Sequence, residues 1–266
     1  MFHTPLPLWM GIINLSPDSF SDGEPFYSTQ KTTEKCLNFV QQGAHIIDFG
    51  GVATNPKTSQ TISAEEELHR IYNHIKEARK ALPKNILISV DTFSPKVAYT
   101  LAKENLIDII NDIYAAQKYE TISNLDIKNT AHIAAEFNLG LILMHMPTEQ
   151  PQGKNCVQNI KNFLGERIAY CKQIGVTHIA IDPGIGYGRF GKSFQNILEI
   201  LKKESIAELC TLGAPLLIGV SRKSFHLEID PTLVAPKSRD TLSKEIELKC
   251  IEYGAQIIRT HVIKKE

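Results

Sequence analysis

Seven polar residues stand at or just beyond the carboxyl ends of short apolar runs: Asn14, Asp91, Asn111, Asp182, Lys223, Arg259 and His261. Asp91, Asn111, Asp182 and Lys223 offer two carboxylates, an amide and an ammonium. Such a mixed floor suits a flat polar heterocycle with amino, ring-nitrogen and carbonyl edges. Arg222, Arg259 and His261 add cations near the end of the chain. A guanidinium fork matches phosphate oxygens, so these residues suit a phosphate or diphosphate. Arg259 and His261 are two positions apart, which on a strand points both to one side. Each residue alone has a plainer use. Asp91 could cap the next helix, Asn111 could satisfy a loop, and Asp182 before Pro183 could open a turn. The set is what points to binding. The sequence shows no Ser-His-Asp nucleophile set, zinc-spaced His/Cys cluster or Walker loop. Gly184-Ile-Gly-Tyr-Gly188 is glycine-rich but lacks the Lys-Ser/Thr of a phosphate loop.

The elements that must hold these residues repeat one plan: buried strand, polar end, helix. Residues 8–13 form an apolar run between Pro7 and Asn14, suited to a strand buried on both faces. Similar strands are expected at 45–50, 86–91, 108–113, 140–146, 178–184, 215–221 and 256–262. Helical patterns lie between them, at 29–42, 63–82, from Ser94, before Asn138, at 155–174, 193–203 and 240–253. Ser63 with Glu66, and Ser94 with Pro95, mark helix starts. Eight strands and seven helices in alternation predict an α/β chain folded as a (β/α)8 barrel, a TIM barrel, in one domain over residues 1–266. An open doubly wound sheet is the competing architecture. In a barrel all strand ends meet at one mouth, and strands seven and eight often frame a phosphate site.

Composition excludes several classes. Lys+Arg and Asp+Glu both total 29, so net charge does not point to nucleic acid or an anionic membrane. No apolar run approaches the roughly 20 residues of a membrane span. No basic region followed by an apolar core opens the chain, so no secretory signal is expected. Five scattered cysteines suit reduced thiols and a cytoplasmic location.

Met10-Gly-Ile-Ile-Asn-Leu-Ser-Pro-Asp-Ser-Phe-Ser-Asp-Gly23 closely resembles the opening loop of the dihydropteroate synthase family. Ile88-Ser-Val-Asp-Thr92, Ile109-Ile-Asn-Asp112, Leu143-Met-His-Met146 and Asp182-Pro-Gly-Ile-Gly-Tyr-Gly188 resemble later motifs of that family. So do Gly219-Val-Ser-Arg-Lys-Ser-Phe225 and Ile257-Ile-Arg-Thr-His261. The resemblance implies a transferase of folate biosynthesis on a TIM barrel. It would join 6-hydroxymethyl-7,8-dihydropterin diphosphate to para-aminobenzoate. By match of motif, Asp91, Asn111, Asp182 and Lys223 would hold the pterin, with Met144 nearby. Asn14, Arg259 and His261 would hold the diphosphate, Asn14 as ligand to Mg2+. Phe20 and Asp22 would come from the first loop. Thr54, Pro56, Ser221 and Arg222 would form the aminobenzoate side. The resemblance also implies a homodimer and a sulfonamide target, and leaves room for fusion to, or association with, a folate-pathway enzyme.

Three features depart from the family. Its second loop reads Gly-Gly-Glu-Ser-Thr-Arg-Pro-Gly, whereas Gly50-Gly-Val-Ala-Thr-Asn-Pro-Lys57 has Val52 for the glutamate and Asn55 for the arginine. Val262 replaces an aspartate after the last strand. The sequence stops where an eighth helix should begin, so that helix is expected to be missing. An outward apolar strip on strand eight should then lie open to a second copy, another domain or residues 2–8. A pterin-binding paralogue or regulatory subunit without synthase activity is the alternative reading. The opening loop and Ser221-Arg-Lys223 argue against a methyltetrahydrofolate methyltransferase.

Overall fold

Successive side chains of a strand point to opposite faces, so a run that is apolar throughout needs cover on both. The eight runs obtain it by closing on themselves inside a ring of helices. The computed structural model describes residues 1–2, 7–15, 28–52, 62–123, 126–146, 155–186 and 193–263. β1 (Leu8–Asn14), β2 (Ile46–Gly50), β3 (Leu87–Asp91) and β4 (Ile109–Asp112) lie side by side and parallel. A separate antiparallel hairpin follows, β5 (Glu120–Ser123) with β6 (Asp126–Lys128). The main sheet resumes with β7 (Gly140–Met144), β8 (His178–Asp182), β9 (Leu217–Ile218) and β10 (Ile257–Thr260). β7 joins β4 to β8, and β10 joins β1 to β9. A bridge from Ile181 to Leu216 draws the two edges together, which leaves a nearly closed parallel barrel.

The helices begin where short polar side chains can accept the unpaired N–H groups of a first turn. Ser28, Ser63, Ser94 and Asn129 cap α1 (Thr29–Gln41), α2 (Ala64–Ala81), α3 (Pro95–Lys103) and α4 (Thr130–Glu136). Asn155 caps α5 (Cys156–Ile174) and Ser193 caps α6 (Phe194–Ile200). α7 (Lys203–Cys210), α8 (His226–Ile229) and α9 (Asp240–Glu252) complete the set. Because Ser94 caps α3, Asp91 is not used for that purpose.

Alternation divides the apolar residues between two cores. Met10, Ile46, Ile109, Ile142, Leu217 and Ile257 fill the barrel interior. Ile13, Ile47, Phe49, Ile88, Val90 and Ile110 belong to the layer packed with the helices. Phe2 is buried with the interior set. A Cβ on Gly140, the first residue of β7, would strike Met1 and Phe2. Residues 1 and 2 therefore plug the barrel at the amino ends of its strands, rather than covering the face of β10.

The expected open apolar strip on β10 is a correction the fold imposes. Ile258 and Ile263 are 0% and 1% exposed, in the same core cluster as Cys250 of α9. What lies between α9 and β10 is a cavity of about 250 Å³ whose lining residues include Asp240, Ser243, Lys244, Glu247 and Thr260. Lys244 Nζ sits 4.2 Å from the centre of the Trp9 ring, so a cationic side chain covers β1's outward aromatic.

Glu247 is buried in this lining, and its Oε1 has no hydrogen-bond partner among the described residues. Burial pushes its carboxyl up to about 8, against a hydrogen bond from Thr260 that favours the charged form. In an unfolded chain the same group loses its proton near 4.5. The stability it contributes is full below that pH and is lost as pH rises through about 8. Glu247→Gln should therefore flatten the fall in melting temperature between pH 5 and pH 8 and stabilise the protein at the alkaline end. Thermal scans across that range check it; parallel curves for the two proteins would refute it.

Candidate active site

Register puts the polar residues at one level. Asn14 pairs with Gly50, Gly50 with Asp91, and Asp91 with Asn111. Gly50 contributes no side chain to this row. A Cβ there would lie 3.6 Å from Asp91 Cβ and 3.9 Å from Asn14 Oδ1, so Asn14 and Asp91 meet across it. Met144 pairs with Asp182 at the ends of β7 and β8, and both are buried.

Arg259 on β10 reaches across the barrel to this row. Its Nε donates to Asp48 Oδ2 at 2.7 Å and its Nη2 to Asp91 Oδ2 at 2.8 Å. Asn111 Nδ2 donates to the same Asp48 oxygen at 3.2 Å. The three charged side chains are 14%, 0% and 11% exposed for Arg259, Asp48 and Asp91. Residues expected to serve the heterocycle and the phosphate are thus joined in one network. Asp48 was not among the expected site residues. Its signal was a lone carboxylate inside the otherwise apolar run Ile46-Ile-Asp-Phe49.

Lys223 and Asp182 approach from the other side. Asp182 Oδ1 accepts from the Gly184 amide at 2.6 Å, which fixes the turn after β8. That turn offers the Ile185 carbonyl to Lys223 Nζ. Gly186 has φ +73°, and a Cβ there would lie 3.1 Å from Lys223 Cδ, so both its conformation and its neighbour favour glycine. Burial lowers the Lys223 ammonium to about 7, with Arg259 pushing the same way and Asp182 and Asp91 opposing. Burial raises Asp91 to about 7, with Arg259 opposing and Asp48, Asp182 and Asp112 adding to it. Burial thus pushes an acid and a base of one pocket toward their neutral forms, a pattern that marks functional sites.

His261 and Ser221 stand together. The His261 amide donates to Ser221 Oγ at 3.1 Å, and His261 Nδ1 lies 3.1 Å from the same oxygen. Arg222 is turned to Asp240, in a two-armed pair at 2.7 and 2.9 Å. Its backbone is left-handed, φ 59°, held by its amide bond to Ser243 and by Arg239 on its carbonyl. Phe20, Asp22, Thr54 and Pro56, with the departing Asn55, lie outside the described residues.

The chain's relatives share this fold. The family model described as "Pterin binding enzyme" matches residues 10–261. A dihydropteroate synthase of Streptococcus pyogenes is 35% identical over 257 residues, covering 96% of this chain and 90% of the relative. One from Haemophilus influenzae is 32% identical, covering 96% and 89%. Among solved structures, the Clostridium difficile dihydropteroate synthase in the presence of pteroic acid superposes with a TM-score of 0.83 at 32% identity, covering 97% of this chain and 92% of that one. The Xanthomonas albilineans enzyme with 4-aminobenzoic acid gives 0.82 at 30%, covering 97% and 89%. A nearly closed barrel with this mouth, matched across almost its whole length, belongs to the pterin-binding enzymes, in the dihydropteroate synthase family.

Proposed function

We propose that the chain is a synthase joining 6-hydroxymethyl-7,8-dihydropterin diphosphate to para-aminobenzoate. The observation that carries this is the mouth itself: Asp91 and Asn111 linked through Arg259 and Asp48, with the Lys223 ammonium near enough to feel the charges of Asp182 and Asp91. The carboxylates and the amide take the donor edge of the pterin, and Lys223 takes its carbonyl and ring-nitrogen edge. Arg259 and His261 lie toward the diphosphate. The bond from the pterin methylene to the diphosphate oxygen breaks, and its electrons leave with the diphosphate. The aniline nitrogen then forms the new bond to the methylene and gives up a proton. The fixed carboxylates stabilise the cation left on the pterin, and Arg259 stabilises the leaving anion. A weakly basic aniline needs position more than a strong base.

The donors suit Mg2+ only in a particular way. Among the described residues no group of three His, Cys, Asp or Glu could hold a metal. Asn14 supplies one hard oxygen at the mouth beside Asp91. Magnesium is commonly bound in this manner, by few protein oxygens plus substrate phosphates and water. Bound there, it would neutralise the departing diphosphate. No helix among the described residues is long and apolar enough to cross a membrane. Five free cysteines support a reducing compartment such as the cytoplasm. A homodimer is the assembly in keeping with the family resemblance.

The test is one assay with purified protein, dihydropterin diphosphate, Mg2+ and labelled para-aminobenzoate. Labelled dihydropteroate and diphosphate in equal amounts are expected. Pterin binding without product would favour the inactive paralogue, to which Val52 and Asn55 in the second loop point. No pterin binding would refute both.

A further inference from the structure

We propose that Asp48 is a positioning residue that keeps Arg259 in place for the diphosphate while the heterocycle takes over Asp91. The proposal rests on reading the mouth as a dihydropterin diphosphate site. In the mouth Arg259 divides its donors, Nε to Asp48 and Nη2 to Asp91. Asp91 stands in the mouth row with Asn14 and Asn111, where a heterocycle would need its oxygens. A ring that docks on both oxygens of Asp91 would displace the Arg259 Nη2 bond, which ends on Oδ2. Asp48 lies two residues before Gly50 on β2, deeper in the barrel, and is 0% exposed. The ring cannot reach it. The Nε bond survives, and the guanidinium keeps one anchor while its other donors turn to the leaving group.

Two further observations support a functional use. Asn111 Nδ2 also ends on Asp48 Oδ2, so one carboxylate oxygen orients an amide and a guanidinium of the same mouth. Asp48 Oδ1 is buried with no hydrogen-bond partner among the described residues. A buried carboxylate with an unsatisfied oxygen is a poor way to stabilise a core, since removing charged groups for apolar ones is often neutral or favourable. Its presence is explained if Arg259 needs an anchor that substrate does not displace.

The experiment is a double-mutant cycle on the full chain with Asp48→Asn and Arg259→Ala. Calorimetry would read affinity for inorganic diphosphate with Mg2+ and for 6-hydroxymethylpterin, and steady-state assays would read kcat and both KM values. Asp48→Asn should weaken diphosphate at least about tenfold, the scale of a charge-assisted hydrogen bond. It should lower kcat while leaving the KM for para-aminobenzoate unchanged. In the Arg259→Ala background the same change should cost nothing further. Equal losses in both backgrounds would mean a structural role and overturn the proposal, as would an unchanged affinity for diphosphate. Wild-type protein that binds no dihydropterin diphosphate would overturn the reading of the mouth and this role with it. Should Asp48→Asn fail to fold, wild-type protein carries its own readout. The Arg259 Nε–H resonance, assigned by its loss in Arg259→Lys, should exchange slowly and stay so when dihydropterin diphosphate binds. Its release on binding would overturn the proposal.

Discussion

Lys223→Ala should cost about 3 kcal/mol in pterin affinity, roughly a hundredfold. The estimate combines two losses. A hydrogen bond from a charged donor to the ligand disappears. The carboxylates of Asp91 and Asp182, which the ammonium helps to neutralise, lose that partner in a buried place. Lys223→Arg should not restore binding. Lys223 Cδ is already packed where a Cβ on Gly186 would lie 3.1 Å away, and a planar fork needs more room than an ammonium. The pH dependence follows from the same pocket. As pH falls through about 7, Asp91 takes up a proton; as pH rises through about 7, Lys223 loses one. Affinity for 6-hydroxymethylpterin should therefore peak near neutrality and fall on both sides. In Lys223→Ala the alkaline fall should vanish. Calorimetry from pH 5.5 to 8.5 checks both points, and an unchanged affinity in the variant would remove Lys223 from the site.

The barrel was legible in the sequence because burial on both faces leaves a plain mark. Eight short apolar runs at this spacing need cover on both faces, and the eight barrel strands fall on the expected runs, β1 alone reaching one residue further to Asn14. The mouth was legible for a related reason. A polar residue at the end of such a run has no apolar partner to account for it; Asn14, Asp91 and Asp182 end strands and Asn111 stands one residue before the end of β4. Asp48 was hidden because it lies inside a run, where apolar neighbours suggest ordinary core. The hairpin of β5 and β6 was missed because it buries little: Ile127 is 60% exposed, and Ile122 is only partly buried against the core. Polar contacts help to hold it, with Glu120 Oε2 accepting from Ser94 Oγ and the Lys96 amide at the start of α3. Such contacts join residues far apart in sequence and have no local pattern. The covering of β10 escaped for the same reason. Alternation shows that Ile258 points outward, but not that the neighbouring helix reaches over it.

Asp112→Ala should be the most damaging single change to stability outside the apolar core, at about 3–5 kcal/mol. Asp112 ends β4 and is 0% exposed. Its Oδ1 accepts from the Tyr114 amide at 2.7 Å. Its Oδ2 accepts from the Ala116 amide at 2.9 Å and from Thr130 Oγ1 at 2.6 Å. The turn so held contains Ala115 and Ala116, both left-handed at φ 50° and 58°. A left-handed alanine costs roughly 1–2 kcal/mol, so the turn exists only because its surroundings enforce it. Arg167 of α5 clamps the other side, Nε to the Ala115 carbonyl at 2.8 Å and Nη2 to that of Ala116 at 3.1 Å. Asn129, the cap of α4, adds its Nδ2 to the Ala116 carbonyl at 2.7 Å. Truncating Asp112 leaves three donors without an acceptor and releases two strained residues. Asp112→Asn keeps the shape but turns a donor toward donors, so it should fall between wild type and alanine. Because Asn111 is the adjacent residue, loosening this turn also loosens the amide that meets Asp48. The variant should bind 6-hydroxymethylpterin more weakly even well below its melting point. Denaturant titration gives the stability and calorimetry the affinity. A loss under about 1 kcal/mol would show that the turn is held from Arg167 and Asn129 alone.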